Sequence, residues 1–452
     1  MFNRESLMVS ISGVRGILGE GMNPAAAERY TAAYAEWLKG SHVVVGRDSR
    51  ASGRSLSHAV VSALNFKGIE VTDIGIASTP TVEIMVEELG ADGGIIITAS
   101  HNNERWNALK FLDSSGEFID ASAVEAIEAM VAGSGILYDP PGRPGLCRKV
   151  EDADQTHIER ILGLDVLDAG TISSRGLSAA IDCVNGAGSR IVPMLLERLG
   201  VAVKAIHTDV ESPFPHDPEP RPANLAELSG LVRETGADIG IAVDPDADRL
   251  VLVGEDGVVC SEELTLALAA DFVLGKRKGP VAANLSSSRL IDDIARRHGV
   301  SSFRSKVGEA NVIAVMKRHG AVIGGEGNGG VIFPAIHYGR DAMTGMALIL
   351  QMLAEEDVGL CGKIASLPSY RIIKEKMPFD GDLDAVGERL EKEFEGEINT
   401  IDGIRIDMPS GWVHLRRSNT EPVVRIIAEA GNDEEAAGLV SRVREILGRQ
   451  VP

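Results

Sequence analysis

The chain has 452 residues, 44% of them apolar and 25% charged, which is more than one compact core holds and excludes a disordered chain. Its 45 lysines and arginines against 66 aspartates and glutamates give a net charge of −21, which disfavours nonspecific binding to nucleic acid or to an anionic membrane. An anionic small substrate then requires basic side chains gathered in one place.

The first residues, MFNRESLMVSISG, have no basic start followed by a long apolar core, so no signal peptide is expected. No apolar stretch approaches the length of a membrane span; LTLALAADFVL is short and contains Asp271. Cys147, Cys183, Cys260 and Cys361 lie far apart without metal-ligand or redox spacing, and read as buried thiols in a reducing compartment. The expectation is a soluble cytoplasmic protein. SGVRG sets Arg15 between glycines, and VVVGRDSRASG adds Arg47 and Arg50; single arginines of this kind are more often surface or structural than catalytic.

Three stretches then share one order of elements. The first is LNFKGIEV followed by VEIMVEELGADGGIIITASHN, and the second is LLERLGVAVKAI followed by LVRETGADIGIAVDPDADR. The third is IARRHGVSSF followed by VIAVMKRHGAVIGGEGNGG. Each reads as a helix ending at glycine, a strand, a second helix ending at glycine, and a strand running into a polar loop. Gly68 and Gly90, Gly200 and Gly236, and Gly299 and Gly320 stand where helix C-caps require positive φ. Alternating helix and strand periods imply parallel βαβ sheets, and therefore three related α/β domains. The loops TASHN, DPDAD and GEGNGG fall at equivalent places, at the carboxyl edge where open α/β sheets bind ligands. Pro/Gly-rich DPPGRPG marks the first boundary, giving units over 1–145, 146–252 and 253–365. From residue 366 the pattern changes to strands with a polar turn and a closing helix capped near Asn432, an α+β domain over 366–452.

Each loop carries its own chemistry. TASHN ends an apolar strand with Ser100 and His101, and Lys110 follows ten residues after the serine. In DPDADR, Asp244, Asp246 and Asp248 alternate, and on an extended backbone alternate side chains share a side. Three converging carboxylates repel unless a cation neutralises them, and an all-oxygen set favours Mg²⁺ before Ca²⁺. An EF-hand is excluded because Arg249 occupies the glycine position and strands flank the loop. An aspartyl-phosphate loop would place Thr or Val where Asp248 stands. GGEGNGG offers Glu326 and Asn328 among glycines that admit close backbone approach, which suits hydroxyl or amine recognition. LRRSNTEPVVRI gathers Arg416, Arg417, Ser418, Asn419, Thr420 and Arg425, a donor-rich set for a phosphate dianion.

Taken together, TASHN, DPDADR, GEGNGG and RRSNTEP resemble, in order and at full length, the four signature loops of the α-D-phosphohexomutase family. The resemblance implies four domains around a central cleft, the first three with a common α/β core. Carried over by position, Ser100 would bear phosphate, and Asp244, Asp246 and Asp248 would bind Mg²⁺ together with a phosphoserine oxygen. Glu326 would contact sugar hydroxyls, and Arg416, Ser418, Asn419 and Thr420 would hold the distal phosphate of a phosphosugar. Arg15, His101, Lys110 and Arg249 match cleft residues that the family uses near the transferred phosphoryl group. SKVGEAN, with Lys306 and Glu309, resembles phosphoglucosamine mutases more than phosphomannomutase/phosphoglucomutases, whereas Asn103 and Asn419 replace a Pro and a Gly common in the family.

The implied reaction interconverts hexose 1- and 6-phosphates through phosphoserine and a hexose 1,6-bisphosphate that reorients, which requires the distal-phosphate loop to sit on a mobile domain. Glucosamine phosphate is the expected best substrate, because Glu309 or Glu326 would favour a protonated 2-amino group. Phosphomannomutase/phosphoglucomutase activity is the alternative. A non-catalytic sugar-phosphate-binding protein would keep the arginine loop but need neither the serine nor the three aspartates.

Overall fold

A computed structural model of the chain describes residues 4–133, 143–417 and 423–448. Four sheets are present among these residues. The first three contain the same motif. In the first, Glu70–Ile76, His42–Arg47 and Gly93–Ile97 run parallel, and Trp106–Leu112 lies antiparallel beside Gly93–Ile97. In the second, Ala202–Ile206, Ser178–Asp182 and Ile239–Val243 are parallel, with Leu250–Val253 antiparallel. In the third, Ser302–Ser305, Val281–Asn284 and Ile323–Glu326 are parallel, with Gly330–Ile332 antiparallel.

The three polar loops occupy the same place in each motif, between the last parallel strand and its antiparallel partner. The sheets are therefore mixed rather than wholly parallel. A connection of a few residues can only fold a chain back on itself, whereas a parallel return needs a crossover helix. All six glycines expected to cap helices have positive φ: 80 and 57° at Gly68 and Gly90, 71 and 65° at Gly200 and Gly236, and 68 and 62° at Gly299 and Gly320.

The fourth sheet is antiparallel, in the order Arg371–Pro378, Val423–Ala430, Gly411–Arg417, Ile404–Met408, Glu397–Asn399. Helix Asp433–Gly448 closes it, and the Asn432 side chain accepts from the Glu435 N–H at 2.9 Å, as a cap does. Two of the expected boundaries separate residues from the sheets they pair with. Strand Cys147–Lys149 pairs with Glu70–Ile76 and so belongs to the first sheet, past residue 145. Strand Leu250–Val253 and its bridge from Val253 to Val259 carry the second unit past residue 252.

Packing joins the second and third units into one core. The apolar cluster that holds Ile181 and Val243 also holds Val281, Ile323 and the inner side chains of helix Ala342–Glu356. That helix is buried from Ala342 through Leu353, as expected of a segment apolar on every side. Among the described residues no helix is long and apolar enough to cross a membrane. The four cysteines are free, but only Cys183 and Cys260 are buried; Cys147 is exposed because it lies on the edge strand of the first sheet.

A buried polar hub ties the first unit to the other two. His157, on helix Ala153–Leu162, lies 3.0 Å from Thr81 Oγ1 through Nδ1 and 3.0 Å from Asp341 Oδ2 through Nε2. His337 stands 3.2 Å from Glu83 Oε2 and 3.7 Å from Asp341 Oδ2. Burial alone would lower His337, but Asp341 and Glu83 outweigh it and raise the ring to about 10 from 6.5. Burial pushes Glu83 up to about 8 from 4.5.

Both folded-state values lie above the unfolded ones, so this stabilisation is complete at low pH and lost as pH rises. Glu83 loses its part between 4.5 and about 8, and His337 loses its part between 6.5 and about 10. The melting temperature should fall from neutral pH toward pH 10, and His337→Gln should flatten the portion above about pH 8. Thermal melts across that range check this; a slope unchanged in the variant contradicts it.

Candidate active site

Ser100 is presented by a strained turn locked from below. It has φ 50° and is 4% exposed. A non-glycine residue holds that conformation only when its surroundings fix it. Here the fixing is a buried ion pair: Arg50 Nε donates to Asp48 Oδ2 at 2.8 Å, and both side chains are almost wholly buried. Asp48 Oδ2 also accepts from Thr98 Oγ1 at 2.6 Å, and Thr98 Oγ1 accepts from the Ser100 N–H at 2.9 Å. The remaining Arg50 nitrogens donate to the carbonyls of Ser100, Asn102 (2.7 Å) and Asn103 (2.9 Å).

From this turn Ser100 Oγ donates to Asp244 Oδ2 at 2.9 Å, across 144 residues of chain and from the first unit to the second. His101 Nδ1 lies 3.3 Å from the same hydroxyl. Arg249, then burial, then Arg15 drive the His101 ring well below its ordinary value.

Asp244, Asp246 and Asp248 converge, with one oxygen of each within 4.8 Å of the others and none exposed. Their convergence does not come from an extended backbone. Residues 244–249 form a turn in which the Ala247 N–H bonds to the Asp244 carbonyl at 2.9 Å and Ala247 takes φ 51°.

Cations and dipoles from all three units meet these carboxylates. Lys110 Nζ, on strand Trp106–Leu112, donates to Asp246 Oδ2 at 2.7 Å and lies 3.9 Å from Asp248 Oδ2. The first residue of helix Thr79–Glu88 gives Asp246 both a hydroxyl bond (2.7 Å) and a backbone N–H bond (2.9 Å to its carbonyl), with the positive end of the helix dipole behind them. Arg340 Nη2 donates to Asp248 Oδ2 at 2.5 Å. Burial, with Asp248 and Asp246 adding to it, raises Asp244 well above the carboxylate range. At Asp246 burial acts the same way, but Lys110 outweighs it and holds the group low. Burial opposes the charge of Lys110, and Asp246 and Asp248 more than restore it.

Two oxygens of the cluster, Asp246 Oδ1 and Asp248 Oδ1, are buried with no hydrogen-bond partner. Orphaned carboxylate oxygens beside a third carboxylate fit a hard divalent ion, which binds oxygen ligands only.

Arg15 and Arg249 flank the same turn. Arg15 Nη1 donates to Asn102 Oδ1 at 2.5 Å, and the Arg249 N–H donates to Asp244 Oδ1 at 3.2 Å. Arg249 Nε lies 3.8 Å from Asp248 Oδ1.

In the third unit Glu309 and Glu326 are both held by Arg340. Glu309 accepts from Arg340 through its backbone N–H (2.6 Å) and Nε (3.2 Å), and Glu326 accepts from Arg340 Nη1 at 3.1 Å. Asn284 Nδ2 (2.8 Å) and the Gly308 N–H (3.0 Å) occupy the other Glu326 oxygen. Asn328 touches Glu326 only weakly, at 3.4 Å, and Lys306 is exposed beside this group.

Glycine in GEGNGG serves packing as much as ligand approach. At Gly329, φ is 88° and an added Cβ would stand 2.4 Å from the Leu250 carbonyl oxygen, at the end of the aspartate turn.

In the fourth unit, Arg416 is buried against Asp402, with Nε 3.4 Å from Oδ2, and Arg425 lies opposite it in register on the next strand. Ser418, Asn419 and Thr420 lie outside the described residues. Lys374 reaches from this unit to the GEGNGG loop, donating to the Gly327 carbonyl at 2.7 Å and to Glu263 at 2.9 Å.

Models of the four phosphoglucomutase/phosphomannomutase domains match consecutively: alpha/beta/alpha domain I at residues 8–135, domain II at 155–257, domain III at 261–370 and the C-terminal domain at 373–446. The chain belongs to the phosphoglucomutase/phosphomannomutase family. As a family member it is a mutase, an isomerase that works by phosphotransfer. A probable phosphoglucosamine mutase of Methanopyrus kandleri is 37% identical over 448 residues, covering 97% of each chain. A phosphoglucomutase/phosphomannomutase of Thermococcus kodakarensis is 36% identical over 434 residues, covering 94% of each. The crystal structure of a phosphoglucomutase/phosphomannomutase family protein from Burkholderia thailandensis superposes with TM-score 0.86 at 27% identity, covering 98% of each chain.

Arg340, Arg50, Asp48, Thr79 and Lys374 were not singled out as site residues in the sequence, and Arg340 is the most consequential. Its one guanidinium joins Asp248, Glu309 and Glu326. Its signal was slight, one arginine before the Asp341 helix cap. Arg340→Met should cost about 3–5 kcal/mol of stability, because buried carboxylates lose their cation. Equilibrium denaturation measures this, and a variant as stable as the parent contradicts it.

Proposed function

We propose that this mutase interconverts glucosamine 6-phosphate and glucosamine 1-phosphate through phosphorylated Ser100. The observation that carries the reading is the 2.9 Å approach of Ser100 Oγ to a cluster of three buried aspartates. A phosphoserine carries about −1.5 to −2 charges at neutral pH and needs fixed positive charge around it. Asp244, Asp246 and Asp248 would hold Mg²⁺, which when bound neutralises phosphoryl oxygens as charge shifts between bridging atoms.

The chain's own groups perform the rest. The Asp48–Arg50 pair fixes the turn, so Ser100 Oγ meets the substrate in one orientation. Lys110 is a stationary cation: its ammonium carries only donors and is committed to Asp246. His101, 3.3 Å from Ser100 Oγ, is the ring placed to exchange a proton as the serine alternates between hydroxyl and phosphate. Arg15 and Arg249 flank the same turn, where a second phosphate or the transferred group would need donors.

The distal phosphate falls to Arg416, Arg425 and the loop of Ser418, Asn419 and Thr420. With one phosphate held there, the hexose 1,6-bisphosphate formed in the first transfer turns and returns its other phosphoryl group to Ser100.

The sugar preference rests on charge. Glu309 and Glu326 share one guanidinium, which Asp248 also claims. The sugar pocket therefore has more carboxylates than guanidinium to match them, and a protonated 2-amino group supplies the missing charge. A charge-assisted bond contributes about 1.5–3 kcal/mol, or roughly ten- to a hundredfold in kcat/KM. The names of the relatives support both this reading and the alternative, phosphomannomutase/phosphoglucomutase.

The test compares glucosamine, glucose and mannose phosphates with phosphorylated enzyme in Mg²⁺, alongside Ser100→Ala. The expected result is highest kcat/KM for glucosamine phosphate, and neither turnover nor an added phosphoryl mass in the alanine variant. Equal or better use of glucose or mannose phosphate overturns the sugar assignment and leaves the mutase intact. Full activity of Ser100→Ala overturns the phosphoserine route.

A further inference from the structure

The second unit carries a cluster of metal-ligating side chains separate from the three aspartates. Asp182 is the last residue of strand Ser178–Asp182, and His207 follows the neighbouring parallel strand Ala202–Ile206 by one residue. His216 reaches the same edge on the loop that returns from His207. Asp182 Oδ2 lies 3.0 Å from His207 Nδ1 and 3.1 Å from His216 Nε2, and the three ligand atoms lie within 4.8 Å of one another. The other Asp182 oxygen is occupied by the Val184 N–H at 2.9 Å, so Oδ2 alone faces the rings.

Proton accounting singles this cluster out from an ordinary hydrogen-bonded pair. His216 Nδ1 is 2.8 Å from the Asp217 carbonyl oxygen, which only accepts, so Nδ1 carries a proton. A neutral ring then aims its Nε2 lone pair at a carboxylate oxygen. His207 turns Nδ1 to the same carboxylate oxygen, and its Nε2 lies 3.4 Å from the exposed Glu227 carboxylate. His216 therefore either carries a second proton on Nε2 and donates to Asp182, or points that lone pair at a cation that Asp182 Oδ2 and His207 Nδ1 are placed to share.

A metal ion there leaves His216 Nδ1–H on a backbone carbonyl, the supporting bond typical of a metal-bound histidine, and turns His207 Nε2 toward the Glu227 carboxylate. Tetrahedral bonds of about 2.0–2.1 Å separate neighbouring donors by roughly 3.3 Å. The observed separations of 3.0 and 3.1 Å are close to that. Two imidazoles and one carboxylate suit Zn²⁺, whereas Mg²⁺ takes oxygen ligands.

We propose that Asp182, His207 and His216 bind Zn²⁺, and that the ion fastens the 207–221 loop to the second sheet. That loop touches both sides of the candidate active site. The Phe214 N–H donates to Glu104 Oε1 at 3.2 Å, and its ring lies 5.0 Å from the Arg50 guanidinium that holds the serine turn. Glu219 Oε1 lies 3.9 Å from Arg249. Losing the ion frees the loop that keeps Arg249 and the serine turn in place. The site is thus a positioning device, distinct from the magnesium-type cluster in ligand chemistry.

The test uses full-length protein stripped with chelator, then titrated with Zn²⁺ in saturating Mg²⁺. About one Zn²⁺ per chain should be retained, and Co²⁺ in its place should give the intense visible bands of a tetrahedral site. His207→Gln and His216→Gln should each weaken retention about tenfold or more, while Asp246→Asn leaves it unchanged. Failure of the parent protein to retain Zn²⁺, or retention indifferent to both histidines, overturns the proposal.

Should either variant misfold, ¹⁵N-histidine spectra of the parent protein decide. Zn²⁺ should move two ring signals and abolish their titration. Rings that keep titrating in Zn²⁺ would make the cluster a protonated clamp only and refute the site. None of these readouts depends on mutase turnover.

Discussion

Three carboxylates with no exposure to water cannot coexist without positive charge, and that demand organises the molecule. Asp244, Asp246 and Asp248 come from one six-residue turn, yet no lysine or arginine of their own sheet compensates them fully. The compensation is imported. Lys110 and the helix start at Thr79 come from the first unit, and Arg340 comes from the third. The units are therefore assembled around a charge cluster as well as around an apolar core. Removing any one contributor should be felt as both lost stability and lost geometry.

The same demand explains how a protein with net charge −21 can offer a surface to a phosphosugar. Its cations are concentrated rather than abundant. Arg15, Arg249, Lys110, Arg340 and Lys374 all sit at the three loops or at their contacts, where low dielectric makes each charge count for more than it does on the surface. Elsewhere the acidic surface repels polyanions.

The sequence made the loops legible because their signals are local. A strand running into a polar turn, repeated with capping glycines at the same spacing, is visible without any knowledge of contacts. The partners of those loops were less legible because they are far away in the chain. Arg340 is 92 residues from Asp248, and Lys110 is 136 from Asp246.

Local reasoning also misjudged geometry where the backbone departs from a regular element. The aspartates converge through a left-handed residue at Ala247 rather than along an extended chain. Glu309 and Glu326 share with Asp248 an arginine that periodicity cannot place. Cys147 looked like core and is an edge.

The central claim is that a phosphate on Ser100 shares its ion with the three aspartates. ³¹P NMR of the phosphorylated protein tests it directly, with Mn²⁺ substituted for Mg²⁺ as a paramagnetic probe. The account predicts that stoichiometric Mn²⁺ broadens the phosphoserine resonance beyond detection, and that Asp244→Asn restores a sharp line at the same Mn²⁺ concentration. A phosphoserine line that stays sharp in the parent protein with Mn²⁺ bound would contradict it.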